Sequence, residues 1–204
     1  MTNRFLEALH VTDAADDLPS ELFSLADEEV MTSRGTVPVE VRLIRDNAIA
    51  RIHVHLSDAL VTLMRQGAAE LNVGLLPPGT DALPLDLLRW RQPDGSYSAP
   101  VQDLDQALWT FLRAHRGPRR FGIELVRAFA VNTKWAAATA AAMSPRDILA
   151  LSAINLPFQE YSLYRPGSAR ELPLDDPIPI TRGDHFEAVR DGKYGAAEPG
   201  HDGR

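Results

Sequence analysis

Two stretches decide the fold of the first half of this chain: VPVEVRLIRD at residues 37–46 and IARIHVHL at residues 49–56. In the first, Val39, Val41 and Leu43 alternate with Glu40 and Arg42. In the second, Ile52, Val54 and Leu56 alternate with Arg51, His53 and His55. A period of two puts one set on a buried face and the other in water. Asp46-Asn47 between them is a turn signal, so the pair predicts a β-hairpin. Ser57 follows as an expected helix N-cap, with Leu60, Leu63, Met64 and Leu71 at helical spacing behind it.

Working outward, residues 75–82 are a Pro/Gly loop and LPLDLLRW (residues 83–90) reads as a third strand. Pro93-Asp94-Gly95 is a turn. DLDQALWTFLRAH (residues 103–115) fits a short helix or a final strand, and periodicity does not choose between them. Gly117-Pro118 punctuates the chain, and the order then repeats. FGIELVRAF (residues 121–129) is strand-like, Val131-Asn132-Thr133 is a turn, and KWAAATAAA is read as the return strand. Ser144-Pro145-Arg146-Asp147 starts a helix: Ser caps, Pro takes the first position, and Asp lies in the first turn. EYSLYRPG is a strand and turn. Leu172 to Ile180 is an extended stretch broken by prolines, and HFEAV is a last strand burying Phe186 and Ala188.

Hairpin, helix, strands, twice over, is an α+β pattern. A hairpin followed by one helix covering a mixed sheet is the order of the β-grasp fold, the fold of ubiquitin. The expected organisation is an N-terminal arm at 1–36, tandem β-grasp units at 37–118 and 119–190, and a C-terminal tail at 191–204.

Charge divides along the same lines. Residues 1–36 hold eight acids against Arg4 and Arg34, a balance of −6, which leaves −1 of the net −7 for the rest of the chain. The arm reads as a solvated leader or a partner-binding strip. A near-neutral body argues against nucleic acid as a partner. No run of about 18 apolar residues speaks for a membrane span, and the acidic start speaks against a secretion signal, so a cytoplasmic protein is expected. There is no cysteine. That excludes disulfides, thiolate metal sites and cysteine nucleophiles.

The second unit resembles the bacterial multiubiquitin-type β-grasp domain. The resemblance rests on Val131-Asn132, the Ser-Pro-capped helix at Ile148-Leu149, Glu160-Tyr161-Ser162-Leu163, Leu174-Asp175-Asp176 and Gly183-Asp184-His185-Phe186. The whole chain resembles the tandem modifier of bacterial ubiquitin-like conjugation systems that defend against phage. The resemblance implies a substrate of enzymes and not itself an enzyme, with no cofactor and no metal. A JAB-type zinc protease would trim it behind a glycine. An E1-like adenylating enzyme and an E2-like enzyme would then pass its new carboxylate to a conjugation target protein, with an isopeptide bond as the expected link. Gly195, between Tyr194 and Ala196, is the expected mature C-terminus. A glycine there leaves the reacting carbonyl uncrowded, and DGKYG carries it clear of the last strand. Gly192, Gly200 and Gly203 compete with it. The alternative is a non-covalent adaptor that docks through ubiquitin-like surfaces and the acidic arm.

Other sharp motifs have plainer readings. His53 and His55 are a surface pair lacking a third ligand by sequence. Ser57-Asp58 lacks the geometry of a catalytic triad. Asp175-Asp176 belongs to a turn, Lys193 is a tail charge, and Trp90, Trp109 and Trp135 are packing residues.

Overall fold

The computed structural model describes residues 35–46, 48–77 and 83–191. It is a mixed α+β chain in two units, residues 1–125 and 126–204. The arm through residue 34 and the tail from residue 192 lie outside the described residues.

In the first unit, β1 (Thr36–Leu43) and β2 (Ile49–His55) form the expected antiparallel hairpin, with Val39 opposite Ile52 and Val41 opposite Ala50. Helix α1 (Leu60–Glu70) buries Leu60, Leu63, Met64 and Ala68. It also buries Gly67, where a Cβ would stand 2.7 Å from a Val41 methyl carbon, so this glycine lets the helix press against β1. Strand β3 (Leu87–Trp90), helix α2 (Leu108–Ala114) and strand β4 (Arg120–Glu124) complete the unit. The stretch that periodicity left open is therefore a helix. The sheet order is β2-β1-β4-β3, with β4 parallel to β1 and antiparallel to β3. Twenty buried residues form one core between sheet and helices, including Val41, Leu63, Trp109, Phe111 and Phe121.

Two expectations are corrected here. Residues 119–124 open the second unit in the sequence reading, but β4 pairs with β1 and β3 and belongs to the first. Strand periodicity names a buried face without naming a partner, so Gly117-Pro118 looked like a boundary. Ser57 is also not the cap of α1. The N-cap position is Ala59, with no side-chain bond. The first backbone donors of both helices are met by the other segment instead. Leu60 N–H donates to Gln106 O (3.1 Å), Val61 N–H to Leu104 O (2.8 Å), Leu108 N–H to Asp58 O (2.8 Å) and Trp109 N–H to Leu56 O (2.9 Å). An antiparallel bridge between Ala59 and Ala107 centres this arrangement. Each helix start thus satisfies donors that would otherwise be orphaned.

In the second unit, β5 (Ala128–Val131) and β6 (Lys134–Ala137) form a hairpin through Asn132, whose φ is 54°. The alanine run is not one strand. It bends after Ala137 and resumes as β7 (Ala142–Met143), paired with β9 (Ile178–Pro179). Helix α3 (Pro145–Ala150) starts as its sequence promised: Ser144 Oγ accepts from Asp147 N–H at 3.2 Å. Strands β8 (Tyr161–Tyr164) and β10 (Asp184–Arg190) give the order β6-β5-β10-β8. Strand β10 runs parallel to β5 and antiparallel to β8. The order is that of the first unit, position for position. The core is smaller, with ten buried residues around Phe129, Ile148, Leu149, Leu163 and Phe186.

Candidate functional site

The sequence points to the C-terminal tail, and the strand that carries it is β10. Thr181 N–H donates to the Asp184 carboxylate (2.8 Å) and Gly183 N–H to Ala128 O (2.8 Å), closing the turn that admits the strand. Asp184, His185 and Phe186 then pair along Phe129, Ala130 and Val131. At Asn132 the β5 backbone turns away, and the Asn132 side chain replaces it. Its Oδ1 accepts from Ala188 N–H (3.0 Å) and its Nδ2 donates to Ala188 O (3.2 Å), while its own N–H donates to Phe186 O (2.8 Å). A primary amide carries the same donor and acceptor pair as a peptide group, so one side chain extends the ladder by a step.

On the other flank β10 pairs with β8 from Glu187 to Arg190. Asp191 N–H donates to Glu160 O (2.8 Å), and Arg190 Nη2 meets Glu160 Oε2 at 2.8 Å. Ser162 Oγ lies 2.7 Å from Glu171 Oε1 and 2.8 Å from Asp191 Oδ1. A hydroxyl carries one proton, so it donates to one of these carboxylates at a time. The strand is therefore held through Ala188 on the β5 side and through Asp191 on the β8 side. The platform holds the β10 backbone extended up to Asp191.

Tyr194, Gly195 and Ala196 lie outside the described residues, as do Gly192 and Lys193. The other singled-out residues fall in separate places. His53 and His55 are exposed on β2. Asp58 Oδ2 accepts from the His55 backbone N–H (3.2 Å), a turn contact. Trp90 packs edge-on to Phe111 and Trp109 is buried, whereas Trp135 lies edge-on to His185 at 5.2 Å. Asp175 accepts from Arg146 Nε (2.8 Å). That bond holds the Asp175 carboxyl below its ordinary value of 3.8 and raises the Arg146 guanidinium. Among the described residues no group of three or more His, Asp or Glu is placed to hold a metal ion. No described helix is long and apolar enough to cross a membrane.

Sequence reasoning read Asn132 as a turn residue and Ser162 only as part of a strand. Their partners lie 56 and 29 residues away, and no local pattern announces such pairs. A scan against protein-family models returns no match, and a search of curated proteins finds no significant relative.

Proposed function

We propose that this chain is a ubiquitin-like protein modifier, trimmed after Gly195 and joined through that glycine to target proteins by E1-like and E2-like enzymes. One observation carries the reading. In both units the last strand lies in mid-sheet, parallel to the first, after a hairpin and a helix. That order supports a β-grasp domain, twice in tandem, with the second copy leading directly into the glycine-bearing tail. A platform that holds β10 through residue 191 supports it further. Gly195 lies four residues past Asp191, about 13 Å of extended chain. That length lets a carboxylate enter a narrow cleft while the folded unit stays outside it. Phage defence, by the same resemblance, is the proposed setting.

The test is to incubate the full chain with a JAB-type zinc protease of a bacterial conjugation system and record the intact mass. Loss of residues 196–204 is expected, then an ATP-dependent adduct with the E1-like enzyme. Gly195→Glu should abolish the adduct and leave the melting temperature unchanged. The absence of both trimming and a glycine-dependent adduct would remove the proposal. Deleting residues 191–204 separates it from the adaptor, which would keep its function.

A further inference from the structure

The outer face of the first sheet, away from the core, carries a cluster of arginines around a centre where Tyr97 and Ile44 lie over Gly122. Register places Arg51 of β2 and Arg120 of β4 on either side of Glu40 in one row across β1. The next row runs Ile49, Arg42, Gly122, Arg89. Arg45, at the turn, meets Glu124 Oε1 at 3.5 Å, and Arg89 Nε meets Glu124 Oε2 at 2.8 Å. Arg42, Arg45, Arg51, Arg89 and Arg120 thus share this face with Glu40 and Glu124, in a body whose own balance is −1. Two further facts bear on the Glu40 row and on Arg42 beside it. Glu40 is only 8% exposed although it points away from the core. Arg42 Nε and Arg120 Nε are buried with no hydrogen-bond acceptor among the described residues. Arg42 Nη2 already meets Glu40 Oε1 at 3.5 Å, so an arriving anion is left the outward guanidinium nitrogens of this face and not the sealed Nε atoms.

We propose that this face is the docking surface of the chain's own acidic arm, with Asp27, Glu28 and Glu29 set against the Arg51–Glu40–Arg120 row. The arm carries −6 and joins β1 at Gly35, whose carbonyl accepts from Leu56 N–H, at the rim of this same sheet. From Gly35 to the Glu40 row is five residues of strand, about 17 Å at 3.3 Å per residue. Asp27, Glu28 and Glu29 stand six to eight residues before Gly35, an extended reach of about 20 to 26 Å. An arm that doubles back therefore lays its densest acids on the densest arginines. Individual exposed pairs are weak, but several joined in a network on one face add up and are sensitive to salt. An arm held here would cover the sheet until a more acidic competitor, or salt, displaced it.

Hydrogen exchange on the full chain tests this, read on peptides covering residues 20–34. At low ionic strength the arm amides should exchange about tenfold more slowly than in the Arg51→Glu/Arg120→Glu variant. Asp27→Lys/Glu28→Lys/Glu29→Lys alone should lose the same protection, and combining both sets should restore it. The arm-side variant leaves the sheet untouched, so it decides the matter if the sheet variant unfolds. Equal exchange in the wild type and the arm-side variant overturns the proposal. Protection that disappears on hundredfold dilution also overturns it, by assigning the face to the arm of a second copy.

Discussion

Helices α1 and α3 each follow a hairpin in the same sheet order, yet their first turns are completed by different means. Helix α3 has a serine whose hydroxyl takes the Asp147 N–H. Helix α1 has an alanine, and its first donors reach carbonyls of Leu104 and Gln106 more than 40 residues ahead. The local device is readable in four letters of sequence. The long-range one exists only after the chain has folded, and it makes α1 and α2 depend on each other. The same contrast runs through the cores: among the described residues the hydrophobic cluster has twenty buried members in the first unit and ten in the second. Stability rises with the area a unit buries, so the second unit is the weaker one and relies more on single contacts.

The comparison breaks most openly at the central phenylalanines. Phe121 in β4 and Phe186 in β10 are each 1% exposed, on corresponding strands. Truncation to alanine should cost about 3–5 kcal/mol in either place. In the first unit that loss should leave a folded sheet with a lowered melting temperature. In the second it should melt the unit, so that hydrogen exchange of β5, β8 and β10 rises together. If Phe121→Ala unfolds its unit and Phe186→Ala does not, the ranking of the two cores is wrong.

Asn132 supplies the next largest effect. Asn132→Asp keeps the shape but replaces the Nδ2 donor with a carboxylate oxygen facing Ala188 O. A lost bond and an acceptor set against an acceptor should cost about 1–3 kcal/mol. Thermal unfolding measures the loss, and exchange at Ala188 N–H localises it. The first unit has no counterpart, because β4 ends at Glu124 without a side-chain extension among the described contacts.

The capping contrast is then directly testable. Ser144→Ala should lower stability by about 1 kcal/mol, the usual worth of a lost N-cap. Ala59→Ser, which installs a favoured cap residue, should gain almost nothing, since carbonyls of the 104–106 segment already hold the donors. A clear gain from Ala59→Ser, by chemical denaturation, would show that those bonds leave the helix start unsatisfied.

These cases mark what could be read from the letters. Alternation at Val39, Val41 and Leu43 gave the first hairpin, and Ser144-Pro145 gave α3, because both signals lie within a few residues. Strand β4 went to the wrong unit because its partners, β1 and β3, lie outside its own pattern. The platform under the tail was hidden for the same reason: Asn132 with Ala188, and Ser162 with Asp191, are joined by folding alone. Gly195 came from the resemblance and from its distance past the last strand, and its place is outside the described residues.

The smallest effect separates the units by pH and salt together. Asp94 in the first unit is held below 3.8 by the hydroxyl and the backbone N–H of Ser96. Asp175 in the second is held below 3.8 mainly by its bond to Arg146. A carboxyl whose folded value is depressed contributes stability that is present above 3.8 and is lost as pH falls through the lowered value. Both residues should therefore steepen acid unfolding as pH falls below 3.8. Salt distinguishes them. An exposed ion pair is screened at 1 M ionic strength, where the Debye length falls to about 3 Å, while a bond to a neutral hydroxyl is barely affected. Asp175→Asn should flatten the stability-against-pH slope at low salt and do little at high salt; Asp94→Asn should flatten it equally in both. Denaturant titrations of the two variants at each pH read the slopes. An Asp175 effect that survives 1 M salt would mean that the hydrogen bond, and not the charge of Arg146, holds that turn of the weaker unit.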